Sequence, residues 1–344
     1  MAHEGRGEAP RGGRGPRARG RAPLYAALDL GTNNCRLLMA APEPGGGLKV
    51  LDGFSRIVRL GEGLAQTGRL GEAAMARAYQ ALQACAQRIE ARKPVAIGCV
   101  ATQACRQASN GASFLNRVKL DLGLDFQVIS PEQEARLSVL GCASLMQAEG
   151  DVAMVVDIGG GSTEISWVNP QAVKANRVDP PILGWSSTPL GVVTLAEEEV
   201  EPEGDRREWY EARVARLMAQ LRAAPCPPVV RQAFAEGRAH MIGTSGTVTS
   251  LAGVHMNLPR YDRSRVDGYW FDVRDCRAAI GRLLAEDFAG RAAHPCIGKD
   301  RADLVVAGGA ILDAVLRVWP VERIRVADRG LREGVLMQLM AAKP

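Results

Sequence analysis

The chain has 344 residues, of which 47% are apolar and 24% charged, and its formal net charge is +5. These values are ordinary for a soluble globular protein, and the length predicts two domains. No stretch reaches the roughly 18 consecutive apolar residues of a membrane span, which excludes an integral membrane protein. The basic N-terminus also lacks the apolar core of a secretory signal.

Residues 1–23 are predicted to form a disordered Gly/Arg-rich tail. Six arginines against two glutamates give the tail a net charge of +4, so the rest of the chain is close to neutral. The overall charge therefore gives no argument for nucleic-acid binding. Since the tail has no apolar period, it cannot bury enough surface to fold. Two interpretations stay open: a solubilising leader, or an electrostatic arm for a polyanion.

The eight cysteines include no C-x-x-C pair, and the four histidines are scattered along the chain. The sequence therefore contains no zinc-ligand spacing. Because no export signal is seen, we expect reduced thiols and a cytoplasmic location.

From residue 24 onward, apolar strands alternate with amphipathic helices, a pattern that predicts an α/β architecture. In the first part of the chain the pattern predicts a strand–turn–strand over 24–40, a further strand after 47, a helix over 72–93, a strand over 95–102, a helix over 112–124, a strand over 125–130 and a Pro-started helix over 131–147. In the second part it predicts a strand–turn–strand over 151–168, a helix over 208–224, a strand and helix over 240–254, and helices around 274–287.

One pattern occurs twice. Asp29-Leu30-Gly31-Thr32-Asn33 and Asp157-Ile158-Gly159-Gly160-Gly161-Ser162 each lie in the turn of an apolar hairpin. This repeat predicts a duplicated fold with a cleft between its halves. Two more glycine turns, Gly243-Thr244-Ser245-Gly246-Thr247 and Gly308-Gly309, are each predicted to follow a strand and precede a helix.

The glycine turns are candidate phosphate sites. A phosphate group accepts hydrogen bonds, and a turn without Cβ atoms can present backbone N–H groups to it. One such turn is common in hairpins, but four together favour phosphate binding. The residues predicted to bind phosphate on this argument are Gly159, Gly160, Gly161, Ser162, Gly243, Thr244, Ser245, Gly246 and Thr247.

Acidic residues accompany these turns. Asp157 and Glu164 bracket the second glycine turn, and a carboxylate pair across a hairpin can hold Mg²⁺. The alternative is that Asp157 only caps the turn. Glu132 and Glu134 lie in the first turn of a predicted helix, where acidity also simply complements the helix dipole.

Several motifs occur in a recognisable order over residues 24–341: ALDLGTNNCRLLMA, RIVRLGEGL, VATQACRQASNG, EARL, VVDIGGGSTEISWV, IGTSGTVTSLAGV, RADLVVAGGAIL and ADRGLREGVL. With these motifs the chain resembles the Ppx/GppA family of exopolyphosphatases and guanosine pentaphosphate phosphohydrolases. The resemblance implies an α/β fold of two ribonuclease-H-like, actin-like domains flanking an interdomain cleft. Domain I would comprise 24–132 with 328–344, and domain II would comprise 133–327.

The resemblance also implies roles. Glu134, directly before Ala-Arg-Leu, would be the catalytic base, and Asp157 and Glu164 would hold the metal and position water. Arg106 would face the phosphate chain, and the phosphate cradle would extend to Asp29, Gly31, Thr32 and Asn33. Where the family often has Ser-Gly-x-Glu-Glu-Ala, this chain has Ser130-Pro131-Glu132-Gln133-Glu134-Ala135. The base is kept, although a proline and a glutamine alter its surroundings.

The expected reaction is Mg²⁺-dependent hydrolysis of the terminal phosphoanhydride bond of inorganic polyphosphate, guanosine pentaphosphate or both. With an ordinary pKa, Glu134 would be ionised at neutral pH. Two alternatives stay open: an ATPase or kinase on the same fold, and a protein that binds polyphosphate or alarmones without cleaving them. The substrate is expected in the interdomain cleft, no membrane or nucleic-acid partner is expected, and the oligomeric state is open, a homodimer included.

Overall fold

The computed structural model describes residues 22–44, 47–176, 178–198, 200–203 and 206–342. The predicted disorder of the N-terminal tail therefore lies outside the described residues, apart from the last two positions of the tail. Each described helix is too short or too polar to cross a membrane.

The first half of the chain builds a sheet of five described strands around the first predicted hairpin. The strands are β1 Tyr25–Leu30, β2 Asn34–Pro42, β3 Leu48–Ile57, β4 Ala96–Ala101 and β5 Phe126–Val128. Their order is β3-β2-β1-β4-β5. Strand β2 is antiparallel to both of its neighbours, β1 and β3, whereas β4 and β5 are parallel to β1. The helices of this half are α1 Leu64–Thr67, α2 Glu72–Arg92, α3 Gln103–Gln107 and α4 Gly111–Leu122.

The second half repeats this topology with an added edge strand. The described strands are β6 Val152–Ile158, β7 Thr163–Val168, β8 Ile182–Thr188, β9 Ala239–Thr244, β10 Trp270–Asp272 and β11 Arg323–Ala327. Their order is β10-β11-β9-β6-β7-β8, so β6, β7, β8, β9 and β11 take the places of β1 to β5. The fold is therefore the predicted α/β pair of ribonuclease-H-like, actin-like domains flanking a cleft.

The remaining helices surround the second sheet and join the two halves. They are α5 Pro131–Cys142, α6 Pro170–Ala175, α7 Val192–Glu198, α8 Arg206–Ala223, α9 Pro228–Ala235, α10 Ser245–His255, α11 Arg263–Val266, α12 Val273–Ala285, α13 Phe288–Ala293, α14 Val305–Val318 and α15 Leu331–Ala342, with a short 3₁₀ turn Ala143–Leu145 after α5. The predicted helices over 72–93, 112–124, 131–147 and 208–224 correspond to α2, α4, α5 and α8.

Helices α5 and α15 cross between the halves. The last helix, α15, packs on the first sheet, whereas α5 packs on β6, β7 and β8 of the second sheet. A Cβ atom at Gly141 would lie 1.9 Å from the Gly330 carbonyl oxygen, and one at Gly334 would lie 2.1 Å from the Leu137 carbonyl oxygen. Glycine at both positions therefore lets the two backbones touch. The predicted domain boundary at 132/133 falls in the first turn of α5.

The prediction of a strand and glycine turn at Gly308-Gly309 is wrong. Both glycines lie inside α14. A Cβ at Gly308 would lie 2.5 Å from Thr247 Oγ1, and one at Gly309 would lie 3.2 Å from Ile280 Cγ2. These glycines therefore allow α14 to pack closely on α10 and α12, which the local sequence does not reveal.

Candidate active site

A cavity of about 740 Å³ lies between the two halves. Its wall includes the turns that follow β1, β6 and β9, the first turn of α5, and the residues just before α15. The carboxyl ends of strands meet here, which is where open α/β sheets usually bind ligands. The duplicated hairpins thus bring their glycine turns to one site.

Glu134 reaches this cavity from a well-capped helix start. The Ser130 side chain accepts a hydrogen bond from Gln133 N at 3.2 Å, and Gln133 Oε1 accepts one from Ser130 N at 2.9 Å. Pro131 occupies the first helical position, where its missing N–H leaves no helical bond unmade. The departures from the family motif therefore form a standard capping box that fixes the helix carrying Glu134.

Glu132 and Glu134 have different surroundings. Glu134 is buried, with 9% of its surface exposed, and lines the cavity. The Glu132 side chain is 48% exposed and pairs with Arg136 at 3.3 Å. Because positions two apart on a helix point in nearly opposite directions, only one of the two glutamates faces the cavity, and it is Glu134.

Asp157 and Glu164 face each other across the second hairpin. They are directly paired in the β6–β7 register, so their side chains lie on the same face of the sheet. Asp157 lines the cavity, and Glu164, directly opposite it in the register, is 2% exposed. The Ser138 hydroxyl donates to Asp157 Oδ2 at 2.8 Å, and the Ser187 hydroxyl donates to Glu164 Oε1 at 2.9 Å.

Burial raises the pKa of each carboxyl in this cluster. The pKa of Asp29 rises to about 6 and that of Glu164 to about 7, and the pKa of Asp157 also rises, in each case mainly because burial penalises the charged form. The pKa of Glu134 rises well above its ordinary value because of burial and then the negative charges of Glu164 and Asp157, while Arg106 opposes the rise. The expectation of an ordinary pKa at Glu134 is therefore wrong.

A cation would relieve the repulsion among the carboxylates of Glu134, Asp157 and Glu164. Among the described residues, no group of three or more His, Cys, Asp or Glu side chains is arranged to hold a metal by itself. Mg²⁺ requires fewer protein ligands than such a group supplies, since it keeps several waters and commonly binds one or two carboxylates together with substrate phosphates. The buried oxygen donors of Asp157 and Glu164 therefore fit Mg²⁺.

The glycine turns of the two hairpins touch. A Cβ at Gly160 would lie 2.9 Å from Asn33 N and 3.1 Å from Thr32 Cβ, and one at Gly161 would lie 2.9 Å from Thr32 Oγ1. Apart from any role toward phosphate, these glycines let the two halves meet. Most of the predicted phosphate-binding residues line the same cavity, namely Asp29, Gly31, Thr32, Asn33, Gly159, Gly160, Gly161, Ser162, Thr244, Ser245, Gly246 and Thr247.

The third turn leads into a helix. Helix α10 begins at Ser245, a non-glycine residue with a φ of 73° in the left-handed region. Its hydroxyl donates to the Ile158 carbonyl oxygen at 2.5 Å, which ties this turn to the end of β6. The N-terminus of an eleven-residue helix thus lies at the cavity wall, where its N–H groups and dipole favour an anion.

Two predicted phosphate-binding residues do not line the cavity. Gly243 lies within β9, and a Cβ there would lie 3.0 Å from the Val248 side chain, so its visible role is packing. Arg106 donates to the Ile129 carbonyl oxygen at 2.6 Å and approaches Glu134 Oε2 at 3.5 Å. Its predicted contact with a phosphate chain stays a prediction.

Sequence reasoning missed the basic residues of the cavity wall. Four of them lie in motifs that carry the family resemblance, namely Arg36, Arg301, Arg329 and Arg332, whereas Arg263 and Lys299 lie outside those motifs. Acidic neighbours hold some of them: Arg263 Nη2 donates to Glu333 Oε1 at 2.7 Å, and Arg329 pairs with Asp267. Six of the described lining residues are basic: Arg36, Arg263, Lys299, Arg301, Arg329 and Arg332.

A cavity lined by carboxylates, basic residues and glycine turns suits a phosphate substrate. The Ppx/GppA phosphatase family model matches residues 40–343, almost the whole chain after the tail, β1 and most of β2. The chain belongs to the Ppx/GppA phosphatase family. It is thus a phosphatase by family, and the residues that line its cavity agree with a phosphate substrate.

Solved structures agree with this membership. A PPX-GPPA enzyme from Aquifex aeolicus is 29% identical, with 92% of this chain and 99% of that chain covered and a TM-score of 0.74. An exopolyphosphatase-like protein is 27% identical, with 93% and 99% covered and a TM-score of 0.80. An exopolyphosphatase from Cytophaga hutchinsonii is similar in fold, at 24% identity, 93% and 98% coverage and a TM-score of 0.80.

Proposed function

We propose that this phosphatase hydrolyses the terminal phosphoanhydride bond of inorganic polyphosphate, guanosine pentaphosphate or both, and releases orthophosphate. The observation that carries the proposal is the position of Glu134, a buried carboxyl in the wall of a cavity that also holds glycine turns and basic residues. A linear phosphate chain has the charge and the acceptor oxygens that such a wall accommodates.

In this proposal Glu134 acts as a general base. It accepts a proton from the water that attacks the terminal phosphorus, while the bond from that phosphorus to the bridging oxygen breaks. The guanidinium of Arg106, 3.5 Å from Glu134 Oε2, favours the ionised carboxylate that this step requires. The capping box fixes the first turn of the helix that carries Glu134.

The leaving phosphate chain carries the charge that develops as the bond breaks. Backbone N–H groups of the turns at Gly159–Gly161 and at the start of α10, together with basic residues such as Arg301, would stabilise it. Asp157 and Glu164 would hold Mg²⁺, which when bound neutralises phosphate charge and helps to orient the terminal group. A bound cation would also offset the negative charges of Glu164 and Asp157 that raise the pKa of Glu134.

A cytoplasmic location forms part of the proposal. Each of the eight cysteines is a free thiol in the structure, and each lies within the described residues. Free thiols of this number persist in a reducing compartment.

The test is phosphate release from polyphosphates of defined length, guanosine pentaphosphate and ATP, each with and without Mg²⁺. We expect release from at least one of the first two substrates, dependent on Mg²⁺ and lost in Glu134→Ala. Turnover of ATP alone would favour the ATPase or kinase alternative. Tight polyphosphate binding without phosphate release would favour the binding-protein alternative.

A further inference from the structure

The buried face of α5 carries a second polar side chain beside Glu134. Ser138 lies one helical turn further along and is 2% exposed. A serine inside a helix can donate its hydroxyl proton to the carbonyl oxygen four residues earlier. Here the hydroxyl donates instead to Asp157 Oδ2 at 2.8 Å, so it reaches across to the second sheet.

We propose that Ser138 is a positioning residue that orients Asp157 for the divalent cation. This inference rests on the proposed function, in which Asp157 and Glu164 hold Mg²⁺. A free carboxylate rotates about its terminal bond, but a hydrogen bond to Oδ2 fixes its plane. Partners of this kind typically account for 10–100-fold in metal affinity.

The partner carboxylate has an equivalent donor on another element. Ser187, directly opposite Glu164 in the β7–β8 register, donates its hydroxyl to Glu164 Oε1 at 2.9 Å. Each of the two carboxylates therefore has one oxygen held by a serine hydroxyl from a neighbouring element. Ser138 also joins the base to the cation site, because Glu134 and Ser138 belong to one face of α5.

Ser166 offers a matched control. It lies on β7 two residues after Glu164, on the same face of the sheet, and is likewise 2% exposed. In the part of the chain that the structure describes, it makes no hydrogen bond to Asp157 or Glu164. Ser166→Ala therefore removes the same hydroxyl from a similar environment without touching either carboxylate.

The experiment measures Mg²⁺ and Mn²⁺ binding by calorimetry without substrate, and the dependence of turnover on Mg²⁺ concentration. We expect Ser138→Ala to weaken metal binding by 10–100-fold, with most of the turnover restored at high Mg²⁺. Ser166→Ala should bind metal like the wild type. Ser138→Cys has a side chain of similar volume that is a weaker hydrogen-bond donor. It replaces Ser138→Ala in the same measurements if the alanine variant folds poorly.

Unchanged metal affinity in Ser138→Ala, or an equal loss in Ser166→Ala, would overturn the inference while leaving the proposed reaction standing. A wild-type protein that binds neither cation would overturn both the metal role of Asp157 and Glu164 and the role of Ser138. If that protein still released phosphate without added metal, the hydrolase proposal would stand and only the proposed metal site would be wrong.

Discussion

The two hairpins occupy the same place in the two halves of the fold but carry different charges. In the first, Asp29 lies opposite Arg36 in the β1–β2 register. In the second, Asp157 lies opposite Glu164 in the β6–β7 register. One residue of opposite sign thus turns a charge-balanced hairpin into a doubly acidic one. Duplication thus supplies the scaffold, whereas single substitutions divide the chemistry between the halves.

The electrostatic consequence is visible at each carboxyl. Arg36 opposes the burial that raises the pKa of both Asp29 and Asp157, whereas the charge of Asp157 adds to the burial that raises the pKa of Glu164. A cation would offset this added negative charge at the second hairpin. Glu134, which faces it from α5, has its pKa raised by the same two carboxylates.

The largest expected effect concerns the base on the acidic side. Glu134→Ala should lower turnover by about 10²–10⁴-fold, as expected for loss of a general base, while substrate binding survives. Glu132→Ala is the matched control, since the exposed Glu132 lies two residues away on the same helix. Near-normal turnover in Glu134→Ala, with collapse in a folded Glu132→Ala, would reverse the assignment.

The next prediction concerns pH in the absence of divalent cations. The pKa values of Asp29 and Glu164, about 6 and about 7, lie above their ordinary values of 3.8 and 4.5. At pH values between the ordinary and the raised pKa of each group, the folded protein therefore binds more protons than the unfolded chain. The free energy of unfolding should therefore fall as pH rises from about 4 to 7. The Asp29 contribution is on the order of 3 kcal/mol, since each pKa unit is worth about 1.4 kcal/mol.

Melting curves of two variants would divide this effect between the hairpins. Asp29→Asn should remove the part of the fall that ends near pH 6, and Glu164→Gln the part that extends to about pH 7. Mg²⁺ should stabilise the wild type most at the upper end of the window. A wild type and two variants with the same pH profile would contradict the comparison.

A third prediction breaks the contact between the hairpins. Gly160→Ala would place a Cβ 2.9 Å from Asn33 N and 3.0 Å from Asn33 Cβ, atoms that cannot swing away. We expect a loss of about 1–3 kcal/mol in the free energy of unfolding and lower turnover. Gly281→Ala, whose Cβ would meet nothing within 4 Å inside α12, should instead stabilise by about 0.5–1 kcal/mol. Denaturant unfolding measures both.

The smallest expected effect lies at the rim of the cavity. Arg59 joins the first half to the second by pairing with Asp303 at 2.9 Å and donating to the Asp300 carbonyl oxygen at 3.1 Å. Arg59→Ala should cost about 0.2–1 kcal/mol, the range for exposed ion pairs, and should raise KM because the segment it holds carries Lys299. Arg117→Ala, which removes the exposed pair with Asp121 within α4, should leave KM unchanged.

The sequence by itself determines the architecture and predicts most of the acidic and glycine-turn residues that line the cavity. Strand–turn–strand repeats and helical periodicity are local patterns, so both hairpins, α2, α4, α5 and α8 are predictable. The register of Asp157 and Glu164 follows from a short turn, and family motifs select Glu134 from the two glutamates of α5. Local hydrogen bonding and apolar periodicity explain this success, because neither depends on distant residues.

Only the tertiary structure decides the remainder. The sequence predicts a turn at Gly308 and Gly309, yet both residues lie in α14. Close packing on Thr247 and Ile280 outweighs their weak helix propensity. The basic wall and the Ser138 contact join segments far apart in the chain. The raised pKa of Glu134 arises from burial and from carboxylates on other strands. Burial, charge and steric fit act between elements, so the sequence order alone does not display them.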